Sequence, residues 1–252
     1  MPTPSPRRLA AAAAAALALA AGAAAAEPVT YTIGDEAFEG YFAAAESPRG
    51  LVVLIHDWDG ADGYEARRAD MLAELGYDAF AIDVFGAGVR PGTTEDRLAA
   101  IRAAFADPER LVGLVAGGVE AARGRSAAEG LVVMGYCFGG TVTLAAARSG
   151  AIDAAGWASF HGNFPEGPDW PAETAPILIM HGAVDENPDM AAVAAFMAEA
   201  EAAGLDYDVE TYSGANHAFT VFDGPRYQQR ADERSWASFQ RFLAETLDGP
   251  AS

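Results

Sequence analysis

The 252-residue chain contains one cysteine, Cys137, inside the stretch VVMGYCFGGTVTLAAA at 132–147. A thiol is either a small buried apolar residue or a nucleophile, and its surroundings decide between the two. Gly135-Tyr136-Cys137-Phe138-Gly139-Gly140 lies between an apolar run and a helical pattern. That is G-x-C-x-G, the cysteine form of the nucleophile elbow. In such a turn the strand and helix backbones nearly touch, so glycine at 135 and 139 avoids a clash. The turn lifts the side chain off the sheet and over a helix N-terminus, where the dipole favours a thiolate.

An elbow nucleophile is followed along the chain by an acid and then a histidine. HGAVD at 181–185 supplies Asp185, with Asp189 as a second carboxylate close by, and SGANHAF at 213–219 supplies His217. Each follows an apolar or alternating run, as strand-end loops do. His217 is positioned by order to take the thiol proton, and Asp185 to hold the imidazole ring. The chemistry such a set performs is acyl transfer through a thioester.

Three further histidines, His56, His161 and His181, also end apolar runs. His161, ahead of the loop at 162–175, is the expected substrate contact among them; His56 and His181 read as hydrogen-bonded strand-end residues. Trp58 and Trp170 fall in loops and are expected to wall the pocket. Acidic residues around Glu201, Asp206 and Asp208, and Asp232-Glu233, read as solvated faces. The sequence holds no H-E-x-x-H, no cysteine pair, and no phosphate or dinucleotide loop in context, so neither metal nor organic cofactor is expected.

These residues need a scaffold that brings strand ends together. Segments 29–33 and 38–43 alternate like an antiparallel pair. LVVLIH (51–56), YDAFAIDV (77–84), GLVVMGY (130–136), AAGWASF (154–160), PILIM (176–180) and DYDVETY (206–212) read as further strands. Helical patterns separate them at 64–75, at 93–122 with a break near Asp107-Pro108, from the elbow to 148, at 190–203 and at 227–247. In the first helix Arg67, Arg68 and Glu74 read as outward, and Met71, Leu72 and Leu75 as inward. Alternating strands and helices imply an α/β fold with a mostly parallel central sheet and helices on both faces. Ligands in such sheets sit beyond the carboxyl ends of the strands.

HDWDG, GYCFGG, SFHG, HGAVD and GANHAF, in this order, resemble the dienelactone hydrolase family of the α/β-hydrolase fold, over about residues 31–247. The resemblance implies Cys137 as nucleophile, His217 as base and Asp185 as the orienting acid. It also implies an oxyanion hole from the backbone N–H groups of Trp58 and Phe138. Asp57 stands where the family has a thiol-modulating glutamate. The positions of the family's carboxylate-binding arginines are taken by Ala87 and Val221, with Arg90 near the first. An uncharged ester or lactone is therefore the expected substrate, and an idle α/β-hydrolase-fold binding protein is the alternative.

The N-terminal residues 1–26 combine Arg7-Arg8, an alanine/leucine core and Ala24-Ala25-Ala26, the pattern of a cleaved signal peptide, and leave 27–252 as one hydrolase-like domain. Export to the periplasm or medium is expected, with no membrane attachment afterwards. All sixteen basic residues are arginine; without Arg7 and Arg8 the chain has 14 basic against 36 acidic residues, a net charge of −22. Such a surface repels nucleic acid and anionic lipid. The expected partner is a small molecule and the expected state a monomer. One cysteine can neither form an internal disulfide nor resolve an oxidised thiol, which argues against a redox sensor.

Overall fold

A computed structural model describes residues 26–249; apart from Ala26, the signal-peptide segment expected at 1–26 lies outside the described residues. The elements in chain order are β1 (Ala26–Ile33), β2 (Glu36–Ala43), β3 (Leu51–Ile55), α1 (Gly63–Glu74), β4 (Asp78–Ile82), α2 (Thr94–Phe105), α3 (Pro108–Arg123), β5 (Leu131–Tyr136), α4 (Phe138–Ser149), β6 (Gly156–Phe160), β7 (Ile177–Gly182), α5 (Met190–Ala203), β8 (Tyr207–Tyr212) and α6 (Gln229–Leu247).

One eight-stranded sheet runs in the order β1-β2-β4-β3-β5-β6-β7-β8. The β1–β2 and β2–β4 pairs are antiparallel and all others parallel. The continuous apolar runs are strands covered on both faces, as parallel sheets require. In β3, Leu51, Val53 and Ile55 face one core with Val115 of α3 and Val142 of α4. Val52 and Leu54 face the other, with Leu72 of α1 and Phe239 of α6. Replacing either kind of residue by alanine costs about 2–5 kcal/mol. The break before Pro108 separates α2 from α3, with Asp107 capping the second helix.

Two outward assignments from the sequence are reversed. Arg68 is fully buried on the inner face of α1, where it pairs with Asp232, itself buried on α6. An arginine reads as solvent-facing in a helical pattern, but burial is tolerable when a carboxylate and further acceptors neutralise it. Here the Arg68 guanidinium also donates to the Thr220 carbonyl and the Tyr64 hydroxyl. Helix α2 differs from its neighbours in burying no residue at all.

Candidate active site

The β5–α4 turn is the tight elbow that its glycines require. Cys137 itself has φ +51°, the left-handed region. A Cβ on Gly135 would lie 2.2 Å from the Gly139 carbonyl carbon, and one on Gly139 2.1 Å from the Ile55 carbonyl oxygen. No larger residue fits either position without moving backbone. The Cys137 amide donates to the Phe160 carbonyl at 2.9 Å, which ties the elbow to β6.

Cys137, His217 and Asp185, the residues expected to form a triad, meet although they come from separate strand ends. His217 Nε2 lies 3.0 Å from Cys137 Sγ, and His217 Nδ1 lies 2.9 Å from Asp185 Oδ2. Asp185 is buried and its other oxygen accepts the Asn187 amide at 2.9 Å. Burial alone would push its carboxyl up, but the hydrogen bonds from His217 and Asn187 carry it below the ordinary carboxylate range. Asp189, the alternative carboxylate, caps α5 by accepting the Ala191 and Ala192 amides.

The thiol environment departs from the expectation set by the helix dipole. Burial pushes the Cys137 thiol well above its usual range, and the Asp57 carboxylate beside it pushes in the same direction. The Phe138 N–H opposes both but does not win. A thiol held this way favours its protonated form and needs a base to ionise. The shorter Asp57 side chain does reach the thiol, and its own carboxyl is pushed up by burial to about 6.

The two backbone donors expected to form an oxyanion hole differ in what they face. The Phe138 N–H faces the thiol. The Trp58 N–H is engaged instead by Asp57 Oδ1, at 2.5 Å. Glu65, not singled out from the sequence, shapes this loop: one carboxylate oxygen accepts the Asp57 amide at 3.1 Å and the other the Asp62 amide at 3.0 Å. Asp62 and Glu65 form a capping box, and their D-x-x-E spacing ahead of a helical pattern is the sequence signal that could have found Glu65.

A cleft of about 500 Å³ opens over Cys137 and His217. Its lining is apolar at Trp58, Phe138 and, from α2, Leu98, Ile101 and Phe105 at helical spacing. It is polar at Asn163, Asn187, Asn216 and Arg226. Asp57, Asp185 and Glu186 line the same cleft. Arg226 was missed because its loop has no periodic pattern to aim it.

Three expected pocket residues are elsewhere. Arg90 lines a separate groove with Tyr41 and Asp62, held by Glu39 at 3.6 Å and Asp83 at 3.8 Å. Two nearby carboxylates turn it away from the cleft. Trp170 packs on Phe196 and donates its indole N–H to Glu199 at 3.0 Å, with Arg148 over its ring. His161 is fully buried beneath the site rather than exposed to substrate, and its Nε2 is 2.9 Å from Thr220 Oγ1. His56 is a buried, hydrogen-bonded strand-end residue as expected, bonded to the Asp57 carbonyl and Val84 amide; His181 is buried at its strand end, but neither ring nitrogen has a hydrogen-bond partner, contrary to the expectation. Among the described residues no group of three or more His, Cys, Asp or Glu is arranged to hold a metal ion.

The model of the Dienelactone hydrolase family matches residues 38–247. A probable 2-oxo-3-(5-oxofuran-2-ylidene)propanoate lactonase from Bradyrhizobium sp is 28% identical over 211 residues, covering 79% of this chain and 84% of that protein. The crystal structure of a dienelactone hydrolase-like promiscuous phosphotriesterase from metagenomic libraries superimposes with a TM-score of 0.81 at 27% identity, covering 89% of this chain and 99% of the other. An acylaminoacyl peptidase from Pyrococcus horikoshii shares the fold at 16% identity and a TM-score of 0.70, with 91% of this chain aligned to 43% of the peptidase.

Proposed function

The chain belongs to the dienelactone hydrolase family, with its α/β-hydrolase fold, and from that premise we propose that it hydrolyses an uncharged carboxylic ester or lactone through Cys137, His217 and Asp185. The observation that carries this reading is the contact series from Cys137 Sγ through the two His217 nitrogens to Asp185, at 3.0 and 2.9 Å.

In the proposed cycle His217 Nε2 takes the thiol proton as sulfur attacks the carbonyl carbon. Asp185 holds the ring and stabilises the imidazolium. The tetrahedral oxyanion is met by the Phe138 N–H and, once Asp57 turns away, by the Trp58 N–H. Collapse expels the alkoxide, which takes the proton back from His217, and leaves a thioester. His217 then deprotonates a water that attacks the thioester; the acid departs and the thiol is restored.

The cleft composition supports an uncharged substrate. Three carboxylates and a single arginine face it, and neither Ala87 nor Val221 lines it. The related lactonase's named substrate is a propanoate; binding one here would set its charge against Asp57 and Glu186. The leader pattern at 1–26 supports export to the periplasm or medium, which N-terminal sequencing of the mature protein tests. The functional reading is tested by a chromogenic ester and lactone panel, with and without a free carboxylate, run on wild type and Cys137→Ala. Turnover retained in Cys137→Ala refutes the nucleophile, and a strong preference for the carboxylate-bearing lactones refutes the substrate class.

A further inference from the structure

Behind the triad lies a buried polar network that the proposed cycle does not use. It begins at Arg68, which can only donate hydrogen bonds. Arg68 Nε donates to the Tyr64 hydroxyl oxygen at 3.3 Å, and Tyr64 donates its own proton to Thr220 Oγ1 at 2.9 Å. The single Thr220 hydroxyl proton then has one partner in reach, His161 Nε2 at 2.9 Å. With Tyr64 donating, each link points toward His161. His161 Nε2 then accepts, and the imidazole carries its one proton on Nδ1, which is buried without a hydrogen-bond partner.

This ring packs against the catalytic one. The His161 and His217 centroids are 5.1 Å apart in a T-shaped contact, and Phe219 closes another side of His161 at 5.4 Å. His161 adopts φ +43°, unusual for a non-glycine residue, which places the ring at this contact. Thr220 belongs to the same turn as His217, so the Thr220–His161 bond also pins that turn to the end of β6. The charged or titratable groups around His161 are His217, His181 and Arg226 from the strand-end loops, Arg68 from α1 and Tyr136 from β5. Burial is the largest influence holding His161 neutral, and the nearby cationic groups act in the same direction.

We propose that His161 is a positioning residue for His217: a buried, neutral ring, oriented by the Arg68–Tyr64–Thr220 relay, which fixes the catalytic imidazole and lets it become an imidazolium without a second imidazolium against its face. The proposal rests on the triad reading above. It also gives the buried Arg68–Asp232 pair a role, because Arg68 anchors Tyr64 and Thr220 at the start of the relay.

The test is the rate of Cys137 alkylation by iodoacetamide from pH 6 to 8, which needs no ester substrate. His217→Ala sets the rate without a base. Thr220→Val keeps shape but removes the bond that orients the His161 ring. It should slow alkylation about tenfold at every pH from about 6 to 8, and Thr220→Ser, which keeps the hydroxyl, should restore most of the rate. His161→Phe keeps a ring but loses the acceptor, and should be at least about tenfold slow throughout. His161→Gln restores an uncharged acceptor and should recover most of that loss. A folded Thr220→Val with the wild-type rate, or a Thr220→Ser as slow as Thr220→Val, overturns the proposal even if His161→Phe does not fold. If wild type is no faster than His217→Ala, the triad reading itself fails and the role of His161 falls with it.

Discussion

Asp57 Oδ1 accepts the backbone N–H of its neighbour Trp58 at 2.5 Å while its carboxylate faces the Cys137 thiol. One side chain thus restrains two parts of the site at rest. It raises the thiol, and it occupies an amide that the proposed oxyanion needs. Turning Asp57 away releases both together.

Replacing Asp57 by Asn removes the charge that opposes thiolate formation. The iodoacetamide rate at pH 7 should rise about tenfold, the effect of lowering the thiol pKa by about one unit. An unchanged or slower rate would mean that burial alone governs the thiol.

The same substitution predicts a pH-dependent change in stability. The folded-state pKa of Asp57 is raised to about 6, so the ionised form is disfavoured by folding. Its destabilising effect is absent below the ordinary carboxylate pKa, grows as pH rises, and is complete above about 6. Asp57→Asn should therefore stabilise the protein by up to about 3 kcal/mol at pH 7.5, with little gain near pH 3. Urea unfolding at the two pH values reads this difference.

Cys137→Ala, His217→Ala and Asp185→Asn should each lower ester turnover by at least about 10³, with an unchanged circular dichroism spectrum. The double variant Cys137→Ala/His217→Ala should be little worse than either single variant, since triad members act as a unit. Additive losses would contradict a shared proton-transfer step.

Arg68→Met should cost about 3–5 kcal/mol in urea unfolding, because Asp232 is left buried and charged. The double variant Arg68→Met/Asp232→Leu should regain most of that loss, since no lone charge remains. Failure to regain it would show that Arg68 acts chiefly through Thr220 and Tyr64.

Phe105→Ala should lower kcat/KM for esters with a bulky apolar acyl group about tenfold and leave acetate esters within twofold. Equal losses on both would remove the α2 face from substrate recognition.

The meeting of Cys137, Asp185 and His217 was legible in the sequence because it depends on chain order and strand ends, which hydrophobic runs reveal. The glycines at 135 and 139 carried the elbow for a similar reason: each marks a backbone approach that no side chain survives. Arg90 and Trp170 were misjudged because direction within a loop is set by partners distant in sequence, such as Glu39 and Glu199. Arg68 and Asp232 were assigned to water for the same cause; their pairing spans 164 residues. The Trp58 amide was misjudged over a single residue, since no spacing rule reports that Asp57 folds back onto it.

The two sides of the cleft differ in how they are held. On one side, the triad and the relay from α1 are fastened by buried bonds to the sheet and to α6. On the other, α2 contributes Leu98, Ile101 and Phe105, none of them fully buried, with Phe105 edge-on against Phe138. The cleft is thus bolted along one flank and leaned upon along the other: ion pairs and hydrogen bonds set the reacting atoms, and partial apolar contact sets the helix that faces the guest.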